Sequence, residues 1–198
     1  MGVLSVSLDK WYKVHGVQGA EKVITFGSIN TRPPPKKFEE IKIQNESVGI
    51  KFRLPIRNNL ETAIECCRTN YHSFLSTFAI LSYKSMGYLI NLLPEYLAIK
   101  VIDGIVNDMQ MVFSNIPFSS EPWYLCNREV SKLGAFSNVY YNLKVFFVAM
   151  TYKEELRLTC SANAQLKMDP QLLLDYALDF IEEDIRKVEE GSGHLKTE

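Results

Sequence analysis

The chain has no charge of either sign to spare. Its 22 lysines and arginines meet 23 aspartates and glutamates, so no net field draws a polyanion and nucleic-acid binding is not suggested. Histidine is scarce, with three in 198 residues. His15 sits in "VHG", His72 lies beside the apolar stripe of a helical segment, and His194 is near the end. None has a carboxylate at a spacing that would orient it as a general base. His72, the one placed near a core, is expected to be structural. The four cysteines, at 66, 67, 126 and 160, form no CxxC and no Cys/His ligand spacing. They carry no metal motif and read as reduced, buried thiols in a cytosolic setting. A nucleophile elbow and a phosphate-cradling glycine loop are also missing. The start, "MGVLSVSLDKW", lacks a basic region and a cleavage site. A membrane span needs about 20 predominantly apolar residues, and the most apolar stretch, 78–106, is broken by Lys84, Asn91, Pro94, Glu95, Lys100 and Asp103. Neither a signal peptide nor a transmembrane helix is expected, while contact with a membrane surface stays open.

What is present is core. Apolar residues make up 46% of the chain and aromatics 12%, enough to bury one substantial domain and too much for a disordered one. Helical periodicity runs over 3–14, with Gly16 placed to close the helix. It begins at once with no cap, so Met1 is expected to be an internal methionine of a longer protein. Residues 23–29 and 48–54 read as strands, the first β-branched and the second alternating. Between them "NTRPPPKK" imposes an extended loop. Three helical pieces follow, about 59–77, 80–93 and 96–105, which either cover a sheet or line an apolar cleft. Four strands are expected next: 109–113, a weak one at 126–132, 143–151 and 156–162. The last two form a hairpin around "YKEE", and "LKVFFVAMT" is too apolar for a sheet edge. Asp169-Pro170 caps and starts a final amphipathic helix to about Glu190, and 191–198 is expected to be a disordered tail. Asp103 and Asp108 are explained by capping.

The stretch "VFSNIPFSSEP" (112–122) asks why a hydroxyl and an amide stand at the mouth of a buried strand. Ser114 and Asn115 can bond their own backbone and Pro117 cannot continue a ladder, so together they read as a strand stop, with Pro117 as a structural turn. Strand ends are also where sites are built, and Asn115 there can face a ligand.

Read in order, four features resemble the C-terminal half of the wax ester synthase/diacylglycerol acyltransferase family. A strand running into "INTRP" (29–33) is similar to that family's strand with Asn/Ser-x-Arg. "QNESVGIKFRLPI" (44–56) resembles its Gly-Asn…Gly…Leu-Pro strand, and "VFSNIPF" (112–118) its Ser-Asn-x-Pro-Gly-Pro signature. The hairpin around "TYKEELRLT" (151–159) and the helix after "MDP" match its closing elements. Phe118-Ser119 stands where the family has Gly-Pro, Lys153-Glu154 replaces a glycine in the last hairpin, and Asn163 occupies the position of an acidic residue. The family's HHxxxDG motif belongs to an N-terminal half that is not in this chain.

The resemblance implies an α+β fold, a mixed β-sheet with flanking helices. It would form one lobe of a two-lobed acyltransferase like the chloramphenicol-acetyltransferase and condensation-domain enzymes, with a tunnel between lobes. Residues 1–190 would be the C-terminal acyltransferase domain. In that mechanism a histidine deprotonates a lipid hydroxyl, whose oxygen attacks the thioester of acyl-CoA to give a wax ester or triacylglycerol. The partners implied are acyl-CoA as co-substrate (no cofactor), a lipid hydroxyl acceptor and the missing N-terminal lobe. Ser114, Asn115 and Arg32 would line the substrate channel, and no catalytic residue is carried by this chain. The setting implied is cytoplasmic, or peripheral on an endoplasmic-reticulum or lipid-droplet membrane. An isolated lobe would be inactive and would leave an apolar flank bare. A non-catalytic lipid- or acyl-CoA-binding module, or a helix-grip carrier with a sealed cavity, are the competing expectations.

Overall fold

The computed structural model describes residues 1–30, 47–74, 77–139, 143–166 and 168–193. The N-terminal helix α1 (Gly2–Val14) buries Leu4, Val6 and Leu8, and with them Ser5 and Ser7. A buried hydroxyl needs a partner. Ser7 Oγ donates back to the Val3 carbonyl at 2.7 Å, and Ser5 Oγ donates to Pro55 O at 2.6 Å while accepting the Arg57 N–H at 3.2 Å. Gly2 lets the helix run close to its neighbour, since a Cβ there would stand 2.6 Å from Ile64 Cγ1. Gly16 closes the helix as expected: it takes a left-handed φ of +69° and donates to Lys13 O, and Val17 N–H reaches Tyr12 O.

Strand β1 (Lys22–Asn30) pairs antiparallel with β2 (Ser47–Pro55) along its full length. Then come α2 (Leu60–Phe74), α3 (Thr77–Asn91) and α4 (Glu95–Val106). Asn59 starts α2 by accepting the Thr62 N–H at 3.0 Å. After β3 (Met111–Ser119), a small hairpin of β4 (Tyr124–Leu125) and β5 (Arg128–Glu129) precedes β6 (Val145–Tyr152), β7 (Glu155–Ala162) and α5 (Pro170–Gly193). The main sheet has the order β2-β1-β3-β6-β7, with β3 parallel to both β1 and β6. The expected β6–β7 hairpin is present. Asp169 Oδ1 accepts the Gln171 N–H at 2.9 Å, the cap its position before Pro170 implied. The helix continues to Gly193, beyond the expected stop at Glu190.

Period-2 alternation gives the sheet two different faces. Val23, Val48, Ile50, Phe52, Leu54, Met111, Val145 and Phe147 join Leu4, Leu8, Cys67, Leu173 and Ala177 in one core, beneath α1, α2 and α5. On the opposite face the Phe26 ring lies over Gly49, where a Cβ would fall 2.2 Å from the ring.

Four expectations need correction. The strand at 109–113 does not stop at Ser-Asn-x-Pro but runs to Ser119. The weak strand at 126–132 is instead the β4–β5 hairpin, turned by Cys126 and Asn127 at φ 49° and 60°, which Asn tolerates better than most residues. The three central helices do not all cover the sheet: α2 buries Ala63 and Cys67, α3 reaches β2 through Tyr83, and α4 buries nothing. The capping explanation of Asp108 gives way to an ion pair, since both its oxygens meet Lys51 Nζ at 2.5 Å while Asn107 holds the C-cap position of α4.

The thiols are also less uniform than expected. Cys67 is buried, Cys66 and Cys160 are partly covered, and Cys126 is exposed in its turn. Burial pushes the Cys160 thiol up from 9.0 to about 12. A disulfide-exchange reagent at mildly alkaline pH should therefore label Cys126 at once and Cys160 only on unfolding. The unfolded thiol ionises near 9.0 and the folded one near 12, so over that window the unfolded chain holds fewer protons. Stability must fall as pH rises through it. A Cys160→Ala chain whose alkaline denaturation matches the parent would contradict this.

Candidate functional site

The site is built on the second half of β3. Its first residues are sandwiched, with Met111, Val112 and Phe113 paired to Thr25, Phe26 and Gly27 on one side and to Val145, Phe146 and Phe147 on the other. From Ser114 onward its pairing with β1 has ended, and among the described residues only β6 remains beside it. This is why Pro117 does not end the strand. Proline lacks one donor, and an edge position has no ladder partner on its open side to miss it. Pro117 stays in register with Thr151, and the irregularity comes one step later, between Pro117 and Ser119. The reading of Pro117 as a turn is thus replaced by an edge-strand proline before a bulge.

Ser114 and Asn115 do not line one wall. Successive strand residues face opposite sides. Ser114 is half-buried on the face of Val112 and Ile116, while Asn115 is exposed on the other. Around Asn115 on that side stand Pro117, Ala149 and Thr151, then Leu156 and Leu158 from β7. Among the described residues the patch is open at its outer end, where Asn115 is exposed and Leu156 is 50% exposed, while Ala149, Thr151 and Leu158 are partly covered. Asn115 is the one amide in this otherwise small and apolar strip. Arg32 lies outside the described residues.

The opposite face at the same end is closed by the chain that follows the strand. Tyr152, buried at the end of β6, accepts the Trp123 N–H at 2.9 Å and donates to Val130 O at 2.8 Å. Phe118 packs on Trp123 with ring centroids 4.7 Å apart and lies 6.1 Å from the Tyr152 ring. Thr159 Oγ1 donates to Ala135 O at 2.6 Å, and Lys153, at a left-handed φ of 54°, pairs with Glu129. That ion pair holds the exposed Lys153 ammonium above its ordinary pKa. Trp123, Tyr124 and Leu125 project from this strap into solvent. The sequence reading missed the strap; its one visible signal was the aromatic pair directly after the signature.

Acid–base groups are not assembled here. His15 stacks on Trp11 at 4.1 Å and its Nδ1 lies 2.8 Å from Trp11 O. His72 is exposed on α2 rather than near the core, as is Tyr71 beside it, since the helix buries Ala63 and Cys67 instead. His194 lies outside the described residues. Among the described residues no ion pair involves a histidine and no His/Cys/Asp/Glu group could hold a metal. Three cavities lined by described residues lie elsewhere. A groove of about 840 Å³ carries Lys22, Lys51, Arg53 and Arg57, another of about 670 Å³ lies by Asn107 and Asn163, and a pocket of about 210 Å³ lies by Trp11 and Met168. None of the three touches Ser114 or Asn115.

Comparison with known proteins agrees with this architecture. Among curated proteins no sequence match is found. In structure the chain is similar to the wax ester synthase/diacylglycerol acyltransferase from Marinobacter aquaeolei VT8. The TM-score is 0.58 at 13% identity, over 97% of this chain and 42% of that one. It is also similar to the first condensation domain of the CDA synthetase, with TM-score 0.51 at 12% identity, over 89% of this chain and 37% of that one. The chain therefore spans less than half the length of either protein. A family model for the C-terminal domain of wax ester synthase/diacylglycerol acyltransferases matches residues 59–183. With the mixed five-stranded sheet and its helices, that match decides the assignment: the chain belongs to the WS/DGAT C-terminal domain family.

Proposed function

We propose that this chain supplies the C-terminal lobe of an acyl-CoA-dependent O-acyltransferase of neutral-lipid synthesis. In this reading it works with a histidine-bearing half and is inactive without it. The observation that carries the reading is the open end of the sheet, where exposed Asn115 stands among partly exposed, mostly apolar residues of β3, β6 and β7. Such a strip costs free energy in water and fits the wall of a channel closed by another lobe. The histidine of that lobe takes the proton of an alcohol or diacylglycerol hydroxyl, and the oxygen attacks the acyl-CoA thioester carbonyl. A base within hydrogen-bond reach of its proton satisfies the geometric demand of that step. Asn115 then serves as a positioning residue, its amide bonding substrate or the histidine loop. Ser114, on the other face, is left out of the channel. Neutral-lipid substrates place the working protein at an endoplasmic-reticulum or lipid-droplet surface.

The test starts upstream. The transcript is read for an in-frame HHxxxDG, and the polypeptide so defined is assayed with labelled acyl-CoA, a long-chain alcohol and diacylglycerol. If the half is separately encoded, the two chains are co-expressed. Wax ester or triacylglycerol should form with both halves and not with the 198-residue chain alone. Asn115→Ala should lower kcat roughly two- to tenfold, the loss of one hydrogen bond of about 0.5–1.5 kcal/mol, and Asn115→Asp should not restore it. Turnover by the 198-residue chain alone that survives loss of His15 and His72 would sink the proposal.

A further inference from the structure

We propose that the α3–α4 hairpin docks on a phospholipid surface, with residues 92–94 as its deepest point. Among the described residues the hairpin gathers a run of exposed apolar side chains. Leu92 at its tip is 80% exposed, flanked by exposed Tyr88, Leu89, Leu93 and Tyr96. Farther along α4, Leu97, Ile99, Val101 and Ile102 are exposed too, and the helix buries no residue. At about 100° per residue these positions, with Tyr96, point all round the helix. A single protein face covers one side of a helix; apolar residues exposed around α4, with only Ala98, Ile105 and Val106 partly covered, call for an apolar phase.

The order of residues along the hairpin names that phase. Moving back from the Leu92-Leu93-Pro94 tip, each arm presents a tyrosine, Tyr88 and Tyr96, and then a lysine four positions farther, Lys84 and Lys100. Tyrosine favours the boundary between headgroups and acyl chains, and lysine stems reach from it to the phosphates. Both lysines are exposed, and neither enters an ion pair among the described residues. Their charge complements anionic headgroups. No helix is long and apolar enough to cross a membrane, and exposed Glu95 beside the tip limits entry to the interfacial layer. The position also separates this surface from the channel wall. α3 packs on β2, one edge of the sheet, whereas the strip around Asn115 runs toward β7 at the other.

The proposal rests on exposure and residue order, and it is scored without turnover. A chain that bound lipid but never took part in acyl transfer would therefore sink the functional reading alone. The 198-residue chain is floated with phosphatidylcholine vesicles and with equimolar phosphatidylcholine and phosphatidylserine. It should float with both, and more with the second. L89D/L92D should lower the partition coefficient tenfold or more with unchanged circular dichroism, since both side chains are exposed. K84E/K100E should abolish the preference for phosphatidylserine, and Glu95→Gln should tighten binding. Three results would overturn the proposal: no flotation with either vesicle, wild-type flotation of L89D/L92D, or a dimer or two-lobe complex that L92D dissociates while no vesicle binding occurs.

Discussion

Replacing Leu173 by alanine is expected to lower the unfolding free energy by about 2–5 kcal/mol, the range for emptying a fully packed leucine site. Leu173 is 0% exposed in the first turn of α5 and belongs to the core shared by α1, the sheet and Cys67. Its neighbours there come from three directions, so the cavity cannot collapse from one side alone. Urea denaturation of the parent and the variant should show a lower midpoint with an unchanged slope. Leu178 lies on the same helix but is 46% exposed, so Leu178→Ala should fall within about 0.5 kcal/mol of the parent. Equal losses at the two positions would mean that α5 does not pack as described.

Tyr152→Phe is expected to cost about 0.5–1.5 kcal/mol, because it removes only an oxygen but takes the shared partner from two part-buried backbone groups. Tyr152 is 2% exposed, and its hydroxyl stands between the Trp123 N–H and the Val130 carbonyl. The same two residues are also joined directly, Val130 N–H donating to Trp123 O at 2.8 Å, so the hydroxyl knots the base of the β4–β5 hairpin to β6. The loss should be local as well as global. Amide exchange should quicken at Trp123, Val130 and the turn at Cys126 and Asn127, with little change in β1 and β2. Uniform acceleration across the whole sheet would show that the strap is not held by this bond.

Most elements were legible because their signals are local. Alternation over 48–54, Gly16 after a helical run, Asp169-Pro170 and the charged turn at Lys153-Glu154 each fix a short piece of backbone. The order of the signature stretches carried the family. What stayed hidden depended on neighbours in space. Pro117 reads as a stop until the pairing of β1 with β3 is seen to end at Gly27, leaving, among the described residues, an edge where proline is harmless. Ser114 and Asn115 look like one functional pair until the strand continues through them and sends them apart. Cys126 and Asn127 lie in a polar stretch whose two paired positions per strand are too short to show alternation. The exposure of α4 was the hardest to foresee, since an apolar helix is normally read as buried. His72 was misplaced for a related reason: a residue beside an apolar stripe can still sit on its outer flank.

The register of the sheet has a consequence of its own. Nine residue pairs join β1 to β2, and eight pairs each join β3 to β6 and β6 to β7, but only three join β1 to β3. The sheet is two rafts moored along a short seam. That seam unites segments more than eighty positions apart in the chain, so its closure carries the largest loop entropy of any contact in the sheet. During folding the β6–β7 raft can assemble from adjacent sequence, whereas the seam must wait for Thr25 to find Met111. If the native molecule opens without unfolding, it will part along this line.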